Sequence, residues 1–120
     1  MHPNLTKIVK NNKICLECCP ISNKVLCYQN DLRLHPVRSL LASGVQVSIS
    51  SDDHGFWHAR GVTLDYLVAY LEWGLDLSDI KKLCLNSIEY STVSEESKVE
   101  LRKFFDWRWR RFLSYVRGRY

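Results

Sequence analysis

The stretch "VQVSISSDD", Val45–Asp53, is the one on which the fold reading turns. Val45, Val47 and Ile49 occupy every second position, with small polar residues between them, the period of a strand with one apolar face. The strand then runs straight into two adjacent carboxylates, Asp52 and Asp53. Taken alone, Ser-Ser-Asp-Asp reads first as a solvated turn or a helix cap. In parallel α/β folds, however, functional groups collect just beyond the carboxyl ends of strands, where this pair sits. Successive strand residues face opposite ways, so one carboxylate can meet a metal while its neighbour meets a substrate.

Upstream, "KICLECC" is short, apolar and not strictly alternating, as expected of a strand covered on both faces, and Pro20 ends it. "PISNKVL" reads as a loop. "HPVRSLLASG" reads as a helix, with Pro36 in its first turn and Gly44 closing it. "LTKIVKNN" before the first strand is a short helix with Leu5, Ile8 and Val9 on one side. Downstream, "TLDYLVAYLEWG" carries Leu64, Leu67, Val68 and Leu71 at helical spacing, with Gly74 as its stop. "DLSDIKKLCLNSIEYS" makes another helix, capped by Asp76 or Ser78, and a last one starts after Ser94 with Glu95 and Glu96 at its positive end. Two strands joined by a helix form a βαβ unit, and two parallel strands alone cannot bury both faces. The predicted fold is therefore α/β and part of a larger parallel sheet or barrel, with an exposed strand edge in this segment.

The 120 residues fit at most one domain, and 46% hydrophobic with 25% charged residues argues against wholesale disorder. No apolar run approaches the roughly 20 residues of a membrane helix. The N-terminus, "MHPNLTKIVKNNK", lacks the apolar stretch of a signal peptide, so a cytosolic chain is the expectation from these residues alone. The sequon Asn4-Leu5-Thr6 matters only on a secretory route.

Five cysteines (Cys15, Cys18, Cys19, Cys27, Cys84) without a leader do not suggest a disulfide framework. Cys15, Cys18, Cys19, Cys27 and His35 carry atoms that bind zinc, but on a strand Cys15 and Cys18 face opposite ways, and small buried thiols are the better reading. His54 and His58 are four apart and could share a helix face, yet nothing completes a metal set with them. The net charge of +4 is concentrated at the end, where Lys98, Arg102, Lys103, Arg108, Arg110, Arg111, Arg117 and Arg119 face only Glu100 and Asp106. Arginine among aromatics can bind nucleic acid or heparin. Leu101, Phe105, Trp109, Phe112 and Val116 share one helical face, however, which favours an amphipathic helix packing inward.

Read together, "ECCPISNKVL", "DLRLHPVRSLLASGV", "VSISSDD", "LCLNSIEYSTVSEESK" and "WRRFL" resemble, in order and spacing, the C-terminal part of the adenosine deaminase superfamily. The likeness is to its secreted branch, the adenosine deaminase-related growth factors, and extends from His2 to about Leu113. It implies that residues 1–120 are the C-terminal portion of a zinc-dependent (β/α)8 barrel, the two strands being its seventh and eighth. The family hydrolyses the 6-amino group of adenosine to give inosine and ammonia. By the same resemblance Asp52 is a zinc ligand and Asp53 hydrogen-bonds a purine ring nitrogen. The family's histidine ligands and catalytic glutamate lie on earlier strands, so no catalytic residue is expected in this chain, and activity of these residues alone is not expected. His54 stands where the family usually has proline, which frees the loop that sets both carboxylates. The resemblance further implies an extracellular setting and leaves a homodimer open. The rival readings are a non-catalytic binding module built on the basic aromatic tail, a small structural zinc domain on the cysteines, and an AMP deaminase.

Overall fold

The computed structural model of the chain describes residues 2–119, which fall into two compact units, one ending at Ser87 and one starting at Ile88. The second unit is little more than one long helix and its lead-in.

In the first unit, β1 (Cys15–Cys18) pairs in parallel with β2 (Gln46–Ile49), Leu16 opposite Val47 and Cys18 opposite Ile49. The alternation in the sequence places Val45, Val47 and Ile49 in the core, while Gln46 and Ser48 stay half-buried. Each strand keeps one edge without a strand partner among the described residues. A helix α1 (Pro3–Asn11) precedes β1 and buries none of its residues.

The connection between the strands corrects one expectation. "PISNKVL" is no loop: Pro20 ends β1 and also opens α2 (Pro20–Val25). A proline suits the first helical position, because its fixed φ is helical and no partner is needed for the N–H it lacks. A 3-10 turn (Leu32–Leu34) and α3 (Val37–Ala42) complete the crossover. Gly44, at φ +78°, then turns the chain into β2, a conformation that disfavours a side chain.

After β2 come a second 3-10 turn (His54–Trp57), α4 (Thr63–Glu72) and α5 (Leu77–Glu89). Asp76 is the cap of α5: its Oδ1 accepts from the Asp79 N–H at 2.9 Å, and Asp79 Oδ2 accepts from the Asp76 N–H at 3.1 Å. The leucines of α4 do not form its inner face. Asp65 and Ala69, four apart, are buried, while Leu64, Leu67 and Leu71 face outward.

Cys18, Val37, Val47, Ile49, Ala69, Trp73 and Leu83 make the core. Its few polar atoms are satisfied. The Trp73 indole N–H donates to the Leu32 carbonyl at 3.0 Å, and the Asn86 amide donates to the Val47 carbonyl at 2.7 Å. Buried His35 lies 5.2 Å from the Trp73 ring. Its Nδ1 accepts from the Val37 N–H at 3.2 Å, so Nε2 carries the proton and donates to Asn23 Oδ1 at 2.9 Å.

The second unit contains α6 (Glu95–Arg117), started by Ser94, whose hydroxyl accepts from the Ser97 N–H at 3.2 Å. No residue of α6 is fully buried; of its expected apolar face, Phe105, Trp109 and Val116 are half-buried and Leu101 and Phe112 exposed. The aromatics stack along the helix, Phe105 on Trp109 and Trp109 on Phe112, with centroids 5.7 and 5.4 Å apart. Among the described residues no helix is long and apolar enough to cross a membrane.

Two predictions follow from the buried polar groups. Asn86→Ala leaves the Val47 carbonyl unpaired in the core and is expected to cost about 1–3 kcal/mol in urea unfolding, with an unchanged slope. A smaller loss would mean that water replaces the amide. Burial pushes His35 below the ordinary imidazole value of 6.5. The unfolded chain therefore takes up this proton first, so the contribution of neutral His35 is complete above about pH 6.5 and declines as pH falls below it. Wild type should lose more stability than His35→Gln between about pH 7 and about pH 5, and equal slopes would contradict this.

Candidate functional site

The two carboxylates lie where the sequence places them, just past the carboxyl end of β2. The ladder extends one residue beyond the strand, with the Ser50 N–H donating to the Cys18 carbonyl at 2.9 Å. The chain then breaks at Asp52, which takes φ +49°. Aspartate tolerates this left-handed region better than most residues, yet such a conformation persists only where its surroundings hold it. Here the holding group is Ser22, in the first turn of α2 and buried to 1% exposure. Its hydroxyl donates to Asp52 Oδ2 at 2.7 Å. Asp52 Oδ1 accepts no hydrogen bond among the described residues. One carboxylate oxygen is thus fixed and the other is open.

Asp53 is exposed, accepts at its backbone carbonyl from the Phe56 N–H at 2.9 Å, and caps nothing with its side chain. Asp52, Asp53, His54, Gly55 and Phe56 line an open cavity of about 440 Å³, with Phe56 84% exposed at its rim. Both aspartates are exposed and both line this cavity, with Asp52 also held from α2 by Ser22. His54 and His58 share no helix face. His54 opens the 3-10 turn with Nδ1 3.2 Å from Ser51 Oγ, and His58 ends it at φ +57°. In the same turn, the Trp57 indole N–H is buried without a hydrogen-bond partner among the described residues.

A second cavity, of about 210 Å³, is bordered by Asp52, Ser22, Glu17, Cys18, Cys19 and His35. Its cysteine thiols are buried or half-buried. Burial pushes the Cys18 thiol up to about 12, with the neighbouring Cys19 and Asp65 adding to the effect. Burial also raises Cys15 and Cys19, and a thiolate is the form that binds metal. Cys27 is exposed, at φ +60°. Among the described residues no group of three or more His, Cys, Asp or Glu side chains is placed to hold a metal. Asp52 can contribute a single ligand of the kind zinc accepts, with its orientation fixed by a neighbouring donor as is usual for ligating carboxylates.

Two participants escaped the sequence reading. Ser22 sat in a segment taken for a loop, and the helix-starting proline two residues before it was the available signal. Asp65 was hidden among the leucines of α4. It is buried to 1% exposure, and its Oδ1 accepts from the Ile21 N–H at 3.0 Å. Burial pushes its carboxyl above the usual range, opposed by the Ile21 hydrogen bond. In the second unit, two arginines of the basic tail are taken up by its own aromatics, Arg111 lying 4.9 Å over Trp107 and Arg119 4.5 Å over Tyr115.

Residues 2–106 match the family model described as adenosine deaminase. Adenosine deaminase 2 of Dictyostelium discoideum is 37% identical over 120 residues, covering 99% of this chain and 22% of that protein. Adenosine deaminase 2 of Homo sapiens is 38% identical over 118 residues, covering 96% and 23%, and the adenosine deaminase of Lutzomyia longipalpis is 42% identical over 118 residues, covering 93% and 23%. The chain thus spans less than a quarter of the length of these relatives. Among solved structures, the adenine deaminase of Arthrobacter aurescens superposes with a TM-score of 0.82 at 24% identity, covering 92% of this chain and 33% of that one. The N6-methyl-AMP deaminase of Arabidopsis thaliana gives 0.77 at 24%, covering 88% and 31%. These likenesses establish the fold as part of a (β/α) barrel, with β1 and β2 as two of its parallel strands. The chain belongs to the adenosine deaminase family.

Proposed function

We propose that this chain is the C-terminal segment of a zinc-dependent adenosine deaminase barrel, converting adenosine and water to inosine and ammonia. In this reading residues 1–120 form one end of a barrel domain, the part that supplies Asp52 to the metal and Asp53 to the purine. The observation that carries it is the state of Asp52. A carboxylate at a strand's carboxyl end, in a left-handed conformation, has one oxygen gripped by a buried serine and the other open. A solvated turn would not need the grip of a buried serine on the carboxylate.

The division of labour follows from the geometry. Ser22 neutralises part of the charge on Oδ2 and fixes the carboxylate plane, so Oδ1 meets a ligand without reorganisation. Bound there, zinc would supply Lewis acidity toward water, with its histidine ligands and the catalytic glutamate contributed by barrel strands outside the matched segment. Asp53 faces the open cavity beside Phe56, where a carboxyl group can hydrogen-bond a ring nitrogen while the phenyl ring covers apolar purine surface. His54, hydrogen-bonded near Ser51, takes over part of the loop constraint that a proline would give. An extracellular setting is carried over from the family resemblance.

The test is a chimera in which this chain replaces the matched segment of the Dictyostelium discoideum relative, assayed for adenosine turnover and bound zinc. Asp52→Ala is expected to lower activity by about 10³-fold or more and to deplete zinc, and Asp53→Ala to lower kcat/KM by about 10²-fold with zinc retained. Ser22→Ala should weaken zinc affinity by about 10–100-fold. Zinc retained in Asp52→Ala but lost in a Cys15→Ala, Cys18→Ala double variant would falsify the assignment and favour a structural zinc site.

A further inference from the structure

We propose that Asp65 is a positioning residue for the metal-side carboxylate, acting through the first turn of α2: it holds Ile21, and thereby Ser22, so that the serine hydroxyl reaches Asp52. The inference rests on the reading of Asp52 above.

The N-terminus of α2 has an unusual cap. Pro20 has no N–H to satisfy, and Cys19, the residue before it, makes no side-chain cap hydrogen bond. The first orphan donor of the helix is therefore the Ile21 N–H. It is met by Asp65 Oδ1, at 3.0 Å, from a residue 44 positions away on α4. A helix of six residues is far below the length that holds itself together in water, so its first turn depends on tertiary contacts. Ser22 follows Ile21 directly, and its 2.7 Å bond to Asp52 is the contact that holds the left-handed residue. Helix α4 thus reaches the Asp52 loop by two hydrogen bonds through one short turn.

Burying a carboxyl group to 1% exposure, against the Ile21 N–H and its own backbone N–H, is a costly way to cap a short helix. A leucine at position 65 would fill similar volume without the charge. The aspartate is intelligible where the position of the next residue matters more than the stability it gives up.

The experiment uses the 120-residue chain without metal and reads the carboxyl carbon NMR resonance of Asp52, the exchange rate of the Ile21 amide, and the melting temperature. Asp65→Leu should melt no lower than wild type, speed Ile21 exchange at least about tenfold, and move the Asp52 resonance to its position in Ser22→Ala. Combined with Ser22→Ala, it should move that resonance no further. Asp65→Asn, which keeps the acceptor, should restore the wild-type resonance and exchange rate, and it provides the reading if Asp65→Leu fails to fold. An Asp52 resonance unmoved in Asp65→Leu, or one that Asp65→Asn shifts as far as Ser22→Ala does, overturns the proposal. Because no metal or turnover enters, failure here is distinct from failure of the zinc assignment, which the chimera decides.

Discussion

The hydrogen bond from Ser22 to Asp52 is the constraint around which the candidate site is organised. It joins the start of the crossover, one turn after β1, to the loop that leaves β2. It therefore exists only if the two strands lie side by side in the observed register. Parallel pairing brings the carboxyl ends of both strands to the same edge, and the residues just beyond each end then face one another. The left-handed turn at Asp52 directs the carboxylate toward α2, and buried Ser22 supplies the donor that meets it. Without that donor, the strained residue would be free to relax into solvent.

Much of this was legible in the residues. The alternation of Val45, Val47 and Ile49 identified β2 and its buried face, and the Asp pair marked its carboxyl end. Gly44 and Ser94 marked a turn and a cap that the structure retains. The misreadings have particular physical causes. Pro20 marks the end of a strand in the sequence, and a proline that cannot continue a ladder is also well suited to begin a helix. Helical spacing identified α4, but not that Asp65 and Ala69 form its buried face in this segment, with Leu64, Leu67 and Leu71 outward. No local signal marks an aspartate that will be buried to cap a distant helix. Ser22 and Asp65 therefore emerge only once residues 30 and 44 positions apart are brought together.

The cysteines and the basic tail have other engagements in the structure. Cys18 lies in the core beside His35, whose Nε2 proton is committed to Asn23, and burial disfavours the thiolate. The tail forms a helix whose Arg111 and Arg119 cover its own aromatic rings. Outward-facing Leu64, Leu67 and Leu71 on α4, and the unpaired strand edges, are apolar and backbone surfaces that further barrel elements would cover. They accord with a segment spanning less than a quarter of its relatives.

The most direct test of the central claim is crystallographic: zinc anomalous scattering from the chimera grown with zinc. A zinc ion is expected about 2.0–2.2 Å from one carboxylate oxygen of Asp52, with the other oxygen still hydrogen-bonded to Ser22. Zinc bound at the barrel mouth without Asp52, or bound among Cys15, Cys18 and Cys19 instead, would contradict it.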